Sequence, residues 1–237
     1  MKQIFIMMSG FSLSGKTFLA EKIEKRFPKT FVIIDSRAIL DFLNDKFPLF
    51  QDDNTVYGPS YDIRQKASVA IRRAFLDTIV GEGYSIISDS CNSTVEKRQK
   101  ILKEIKKTTP KVKTIIIHVD ISEEKLLKRL KKFDGEKVKN GEKPAWVNLY
   151  TEIQKKQFEK PTKSEADVLI NYIAGEEEKV LRQLEEIMKV GEKPRKSNFS
   201  SKKKQSLLAL LVFQHLYETF YVRFSTVGLL HEYKSGL

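Results

Sequence analysis

The chain has 237 residues, enough for one domain with a sizeable hydrophobic core and an appendage. Hydrophobic residues make up 41% of the chain, with only 11 glycines and 7 prolines, which excludes collagen-like, low-complexity and wholly disordered proteins. Its 43 basic and 31 acidic residues give a net charge of +12, which favours anionic partners without identifying one.

Short apolar runs alternate along the chain with longer stretches of helical periodicity. The apolar runs, interpreted as strands, are 4–8, 31–34, 84–87, 112–119 and 168–170. The predicted helices lie at about 16–27, 36–46, 61–81, 94–107, 122–132, 146–158 and 176–189. Nearly continuous β-branched runs separated by helices are typical of a parallel sheet that is buried on both faces. The sequence therefore predicts a three-layer α/β domain with a mainly parallel five-stranded sheet.

The last part of the chain differs in composition from the rest. Residues 192–205 hold six basic residues and one acidic residue, so we predict a basic linker after a main domain of residues 1–191. Residues 206–237 are apolar and predict a C-terminal helical appendage that packs on the domain or on a partner. The alternative for this segment is an interfacial membrane helix.

Three features bear on the compartment. The chain has a single cysteine, Cys91, which excludes an intramolecular disulfide. The N-terminal apolar run lacks a basic flank and a cleavage site, so no signal peptide is expected. Polar and charged residues interrupt the apolar segment near the C-terminus, so no transmembrane span is expected. Together these features predict a cytoplasmic protein.

The most specific motif is GFSLSGKT, a full match to G-x-x-x-x-G-K-[ST] between a predicted strand and a predicted helix. Its glycines let the backbone curl, so that N–H groups converge on phosphate oxygens at a helix N-terminus. The predicted nucleotide-binding residues are Gly10, Ser12, Leu13, Ser14, Gly15, Lys16 and Thr17. Lys16 would act on the β- and γ-phosphates, and the Thr17 hydroxyl would bind Mg²⁺. The expected cofactors are therefore ATP and Mg²⁺.

Two other predicted strands end in aspartates. Asp89 ends the run YSIISD and is the candidate second ligand of Mg²⁺, or else a helix cap. Asp35 ends the run FVIID and is the candidate base that accepts the proton of a hydroxyl acceptor. Arg37 would bind an anion of that acceptor. The alternative is that Asp35 or Ser36 caps the following helix and Arg37 is solvated.

These motifs resemble those of the P-loop kinase family that includes polynucleotide 5′-hydroxyl kinases, gluconate kinase and the zeta toxins. The resemblance covers about residues 3–189. It rests on the P-loop, Asp35-x-Arg37, Ser88–Asn92 with Arg98, Lys125–Arg129, Phe158–Pro161 and Glu165–Asp167. It implies a P-loop NTPase fold with a helical lid, here about residues 125–161, and transfer of the ATP γ-phosphate to a hydroxyl.

The resemblance also implies roles for three further residues. Asn92 and Arg98 would bind the acceptor, and Arg129 of the lid would be catalytic. Cys91 stands where the family commonly has Thr, and Lys131 follows Arg129 where a second arginine would be expected. Lysine cannot fork across two phosphate oxygens, so stabilisation of the transition state by the lid would depend on Arg129 alone.

The acceptor class stays open at this point. The Lys-rich predicted helix 94–107 and residues 122–163 could guide a nucleic-acid backbone, and a polynucleotide or RNA 5′-hydroxyl is the first hypothesis. The alternative for both surfaces is a solvated Lys-rich face, which is the usual meaning of such runs. The alternatives are a kinase of small metabolites or antibiotics and a regulatory nucleotide-binding switch. Asp35 at a strand end favours transfer over switching, because a switch needs a positioned water and not an acceptor base. Residues 47–60 would line the acceptor pocket.

Overall fold

The computed structural model describes residues 3–47, 61–138 and 145–189. All but the first residue of the predicted acceptor-pocket segment 47–60 lies outside these residues. The predicted linker 192–205 and the predicted appendage 206–237 lie outside them as well, as does part of the predicted lid.

Five strands form one sheet. They are β1 (Ile4–Ser9), β2 (Phe31–Asp35), β3 (Ser85–Asp89), β4 (Lys113–Asp120) and β5 (Val168–Ile173). The strand order is β2-β3-β1-β4-β5, and every neighbouring pair is parallel. The predicted α/β fold with a parallel five-stranded sheet is confirmed.

Helices connect consecutive strands, as parallel pairing requires. They are α1 (Lys16–Arg26), α2 (Ser36–Lys46), α3 (Tyr61–Gly81), α4 (Val95–Thr108), α5 (Glu123–Val138), α6 (Trp146–Asn148), α7 (Lys155–Gln157) and α8 (Glu177–Lys189). A π-helical segment, Leu149–Gln154, joins α6 to α7, so these three form one continuous helical stretch. Helix α5 extends past the predicted end at residue 132, which lengthens the first arm of the lid.

The core lies on both faces of the sheet. On one face, Ile6 of β1 packs with Leu19 of α1 and Leu184 of α8, and all three side chains are fully buried. The alternate residues Phe5 and Met7 point to the opposite face and are also fully buried. Because both faces are covered, near-continuous apolar runs can serve as strands here.

The carboxyl ends of the five parallel strands meet at one edge of the sheet, which is where ligands bind in open α/β folds. At this edge the register places Asp35 of β2 opposite Asp89 of β3. The P-loop leaves β1 two strands away from β2, and only β3 lies between them. The fold thus brings three of the predicted functional segments together.

Candidate active site

The P-loop joins β1 to α1, and two of its glycines have backbone conformations that other residues rarely adopt. Gly15 has φ 111° and precedes the first residue of α1. Gly10 has φ 150°, and a Cβ built on it would lie 2.9 Å from the Val119 carbonyl oxygen. The path of the loop therefore requires glycine at both positions.

Lys16 lies at the start of α1 and is only 7% exposed. Its Nζ donates to the carbonyl oxygen of Phe11 at 2.6 Å, across the loop. The ammonium group is thus held within the P-loop at the amino-terminal end of α1. The positive partial charge of this helix end also favours an anion.

The hydroxyl of Thr17 donates to Asp89 Oδ2 at 2.6 Å. Asp89 is 2% exposed, and burial raises the pKa of this carboxyl, while the Thr17 hydrogen bond and the nearby Lys16 charge act in the opposite direction. A hydroxyl and a carboxylate held in contact beside a phosphate-binding loop are the oxygen ligands that Mg²⁺ takes in nucleotide sites. These two residues fit a magnesium ion bound to nucleotide.

Protein-only metal sites are a different case. Among residues 3–47, 61–138 and 145–189, no group of three or more His, Cys, Asp or Glu side chains is arranged to hold a metal.

Asp35 is half-buried at the end of β2 and caps α2, because its Oδ1 accepts a hydrogen bond from the Arg37 amide at 2.7 Å. The capping interpretation of this aspartate is therefore correct. Capping engages one carboxylate oxygen, so the same side chain can also act as a base.

Arg37 is about half exposed and pairs with Asp41 at 2.8 Å. Its guanidinium also lies 5.4 Å from the centre of the Trp146 ring, at the start of α6. This arginine therefore links α2, which follows the candidate base, to the lid.

The lid closes on the P-loop through two polar side chains. Arg129 of α5 donates through Nη1 to the carbonyls of Leu13 at 3.1 Å and Ser14 at 3.0 Å. Gln154 of the π-helical segment accepts from the Ser12 amide at 3.1 Å and donates to the Ser12 hydroxyl at 2.7 Å. Arg129 lies beside the loop, where its predicted role requires it. Gln154 was not predicted, because a glutamine on a polar helix surface carries no signal of a distant partner.

Aromatic packing joins the same two elements. Phe11 of the P-loop lies 5.2 Å from Tyr150 and 4.6 Å from Phe158, measured between ring centres. Phe158 in turn stacks on His118 of β4 at 5.7 Å. Burial lowers the pKa of His118, which favours a neutral ring inside this stack. The apolar contacts support the polar ones, so the lid rests on the loop as a packed unit.

Arg98 is the clearest departure from the predicted site. It is fully buried in α4 and forms two hydrogen bonds to the Glu165 carboxylate, at 2.7 and 3.1 Å. Its Nη1 donates to the carbonyls of Asn92 at 3.0 Å and Glu159 at 2.8 Å. With these donors engaged and no exposed surface, Arg98 does not fit the predicted role in acceptor binding.

Asn92 is corrected for the same reason. It is 6% exposed, has φ 43°, and its side-chain amide donates to the Met8 carbonyl at 2.6 Å. The preceding Cys91 carbonyl accepts from the Gly10 amide at 3.0 Å. Residues 91 and 92, which follow β3, therefore hold the end of β1 and the first glycine of the P-loop in place through these two hydrogen bonds. Asn92 thus has a structural role.

Comparisons with known proteins concern the family and the fold. Residues 5–160 match the model of a family described as an AAA domain. A candidate kinase from Chloroflexus aurantiacus is similar, with a TM-score of 0.61 and 14% identity over 81% of this chain and 98% of that chain. Kti12 of Chaetomium thermophilum, solved with ADP-AlF3, has a TM-score of 0.50 and 17% identity over 78% of this chain and 97% of that chain. At these low identities, the structural similarity shows a shared fold alone. No curated protein matches the sequence.

Of the described residues, none belongs to a helix that is both long and apolar enough to cross a membrane.

Proposed function

Because the chain belongs to this AAA-domain family of P-loop kinase-like proteins, we propose that it transfers the γ-phosphate of Mg·ATP to a hydroxyl group of an acceptor. The observation that carries the proposal is the register at the sheet edge. The register sets Asp35 beside Asp89, and Asp89 accepts a hydrogen bond from the P-loop residue Thr17. A base, a metal-binding pair and a phosphate loop on neighbouring strands are the parts that phosphoryl transfer needs.

In the proposed reaction the acceptor oxygen bonds to the γ-phosphorus while the bond from that phosphorus to the bridging oxygen of ADP breaks. The acceptor proton passes to the Asp35 carboxylate. Lys16 exchanges the Phe11 carbonyl for phosphate oxygens, and Arg129 neutralises charge on the transferred group from the lid side. Thr17 and Asp89 would hold Mg²⁺, which neutralises charge on the β- and γ-phosphates when bound.

Direct assay of transfer tests this proposal. The protein is incubated with radiolabelled ATP and a panel of 5′-hydroxyl oligonucleotides, sugars and nucleosides. We expect label on one acceptor class, and its loss in Lys16→Ala, whose melting temperature should stay close to that of the wild type. Label released only as inorganic phosphate, at a rate that no acceptor changes, would instead indicate the nucleotide-binding switch.

Our first candidate acceptor is a polynucleotide or RNA 5′-hydroxyl, and the exposed lysines of α4 support it. Helix α4 starts near the edge of the sheet where β3 ends, and Lys97, Lys100 and Lys103 form an exposed row along it. Leu102 and Ile105 of the same helix are buried. Such a row can contact successive phosphates of a strand. Lys106 differs from this row, because it pairs with Asp167 at 2.9 Å.

The salt dependence of acceptor binding separates a polynucleotide from a small metabolite. Replacing Lys97, Lys100 and Lys103 by Gln should weaken an oligonucleotide and flatten its log–log salt slope by roughly 0.7 for each lost phosphate contact. The matched control replaces three exposed lysines near the opposite edge of the sheet: Lys25 at the end of α1, Lys107 at the end of α4, and Lys111 in the turn before β4. Equal effects of the two sets, or no salt dependence, would favour the small-metabolite or antibiotic kinase.

A further inference from the structure

Arg72 of α3 is a half-buried arginine without an acidic partner among the residues that the structure describes. Its Nη1 donates to the Ser36 hydroxyl at 3.3 Å, a long bond to a neutral group. Burial lowers the pKa of Arg72, in the direction expected when a cation is desolvated without a counter-charge.

A fully buried arginine, Arg98, shows how this fold compensates such a charge. Arg98 pairs with Glu165 at 2.7 Å, and the exposed fractions of the two side chains are 0% and 1%. A buried charge costs free energy unless it is paired and fully hydrogen-bonded. Arg98 meets that condition, whereas the partly buried guanidinium of Arg72 has only the neutral Ser36 hydroxyl as a hydrogen-bond partner among the described residues.

The position of Arg72 relates it to the candidate base. Ser36, its hydrogen-bond partner, is the first residue of α2 and directly follows Asp35. Arg72 therefore brings a positive charge to the amino-terminal end of α2, where the helix dipole adds to it. An anion held there would lie beside the carboxylate that receives the acceptor proton in the proposed function.

We propose that Arg72 and Ser36 bind an anionic group of the acceptor, a carboxylate or a phosphate, while Asp35 deprotonates its hydroxyl. This inference rests on the proposed function and narrows its substrate class to hydroxyl compounds that carry such a group near the reacting oxygen. Arginine suits the task, because its planar donors form paired hydrogen bonds to carboxylate or phosphate oxygens.

A binding experiment tests the anion site without turnover. Wild type, Arg72→Met, Arg72→Lys and the control Arg73→Met are saturated with Mg²⁺ and a non-hydrolysable ATP analogue, which fills the P-loop. Arg73 is the matched control because it is exposed and pairs with Glu104 at 3.2 Å. The melting temperature is then measured with inorganic phosphate, with acetate, and with chloride at equal ionic strength.

We expect phosphate or acetate to raise the melting temperature of the wild type and of Arg73→Met, to raise it less in Arg72→Lys, and not in Arg72→Met. The two anions together show whether the site prefers phosphate or carboxylate. An equal rise in Arg72→Met, or no rise in the wild type, would overturn the inference.

The stability of Arg72→Met without added anion is a second readout. Removing a partly buried charge that has no counter-charge among the described residues should leave the melting temperature unchanged or raise it. An arginine that merely held α3 to α2 would instead lower the melting temperature when replaced and leave the rise with added anion unchanged, and that combined result would contradict a role in anion binding.

Turnover of matched acceptor pairs tests the substrate class. The pairs are gluconate with glucose, and a nucleoside 3′-monophosphate with the nucleoside. We expect one charged member to be preferred, with its KM rising about 10–100-fold in Arg72→Met because a charged hydrogen-bonding contact is lost. The KM for ATP should stay unchanged. Equal use of the charged and neutral members by the wild type would overturn the inference alone. No transfer to any acceptor would overturn the proposed function, and the binding experiment would still decide on Arg72.

Discussion

At the scale of single residues, Asp35 has two tasks that one substitution separates. Asp35→Asn keeps a side-chain oxygen that can cap α2 but removes the ability to take a proton. We expect kcat for phosphoryl transfer to fall by about 10²–10⁴-fold, with little change in ATP binding or melting temperature. A variant that unfolds more easily yet keeps its activity per folded molecule would show that capping is the only task.

Arg98 stabilises the fold around the site through its buried ion pair with Glu165 and does not contact the acceptor. A second prediction follows from this role. Arg98→Met leaves the Glu165 carboxylate buried without its cation, so the free energy of unfolding should drop by about 3–5 kcal/mol in urea denaturation. The double variant Arg98→Met with Glu165→Leu should recover much of that loss. A stable Arg98→Met that has lost only acceptor affinity would restore the acceptor role that the family resemblance implied.

At the scale of elements, Asp134 determines where the second arm of the lid begins. This residue of α5 is 3% exposed and accepts hydrogen bonds from the amides of Ala145, Trp146 and Val147, at 3.1, 3.0 and 2.8 Å. One carboxylate therefore satisfies three backbone donors at the start of the helical stretch that carries Gln154 to the P-loop.

We therefore predict that Asp134→Ala loosens the lid. Hydrogen exchange at the Trp146 and Val147 amides should accelerate, and the KM for ATP should rise because Gln154 is no longer held over Ser12. Asp134→Asn keeps one acceptor oxygen, so its exchange rates and its KM for ATP should lie between those of Asp134→Ala and the wild type. Unchanged exchange in Asp134→Ala would mean that the other lid contacts, the aromatic packing of Phe11 and the hydrogen bonds of Arg129, hold the lid in place.

A second element-scale contact ties β4 and α4 to the entry of β5. Asp167 accepts from the amide and the hydroxyl of Thr114, at 2.8 and 2.9 Å, and from Lys106. Partial burial alone would raise the pKa of Asp167, but the Thr114 amide and the Lys106 ammonium outweigh it and lower the pKa to about 2.

Because the folded-state pKa is below the ordinary value, this contact stabilises the fold above about pH 4 and is lost as the pH falls through about 2. The free energy of unfolding of Asp167→Asn should therefore be lower than that of the wild type by about 1–2 kcal/mol at pH 6. The difference should shrink towards pH 2. A difference that does not vary with pH would assign the effect to lost hydrogen-bond geometry and not to charge.

At the scale of the whole molecule, the sequence predicted best what the local backbone dictates. The P-loop could be predicted because its glycines, Lys16 and Thr17 follow a strand and open a helix, so motif and context coincide. Asp35 and Asp89 could be placed together because parallel strands end at one edge. These inferences need only local chain geometry and the rule of parallel pairing.

What could not be predicted depends on contacts between segments far apart in the chain. Arg98 lies among lysines in the sequence and resembles a solvated residue, and its partner Glu165 comes 67 positions later. Gln154 meets Ser12 across 142 positions. The half-buried place of Arg72 follows from how α3 packs on α2, which no periodicity of α3 by itself reveals.

The strand order also has a consequence for synthesis. The strand made first, β1, takes the central place in the sheet, and its neighbours are β3, ending at Asp89, and β4, ending at Asp120. A nascent chain can therefore expose an apolar, unpaired β1 until roughly half of its length has left the ribosome, since non-local pairing waits for the later strand. We expect a ribosome-bound chain that has emerged as far as residue 110 to be cut readily by protease near β1. A chain that has emerged as far as residue 189 should resist cleavage there. Early protection at residue 110 would mean that β1 and β3 form a stable pair by themselves.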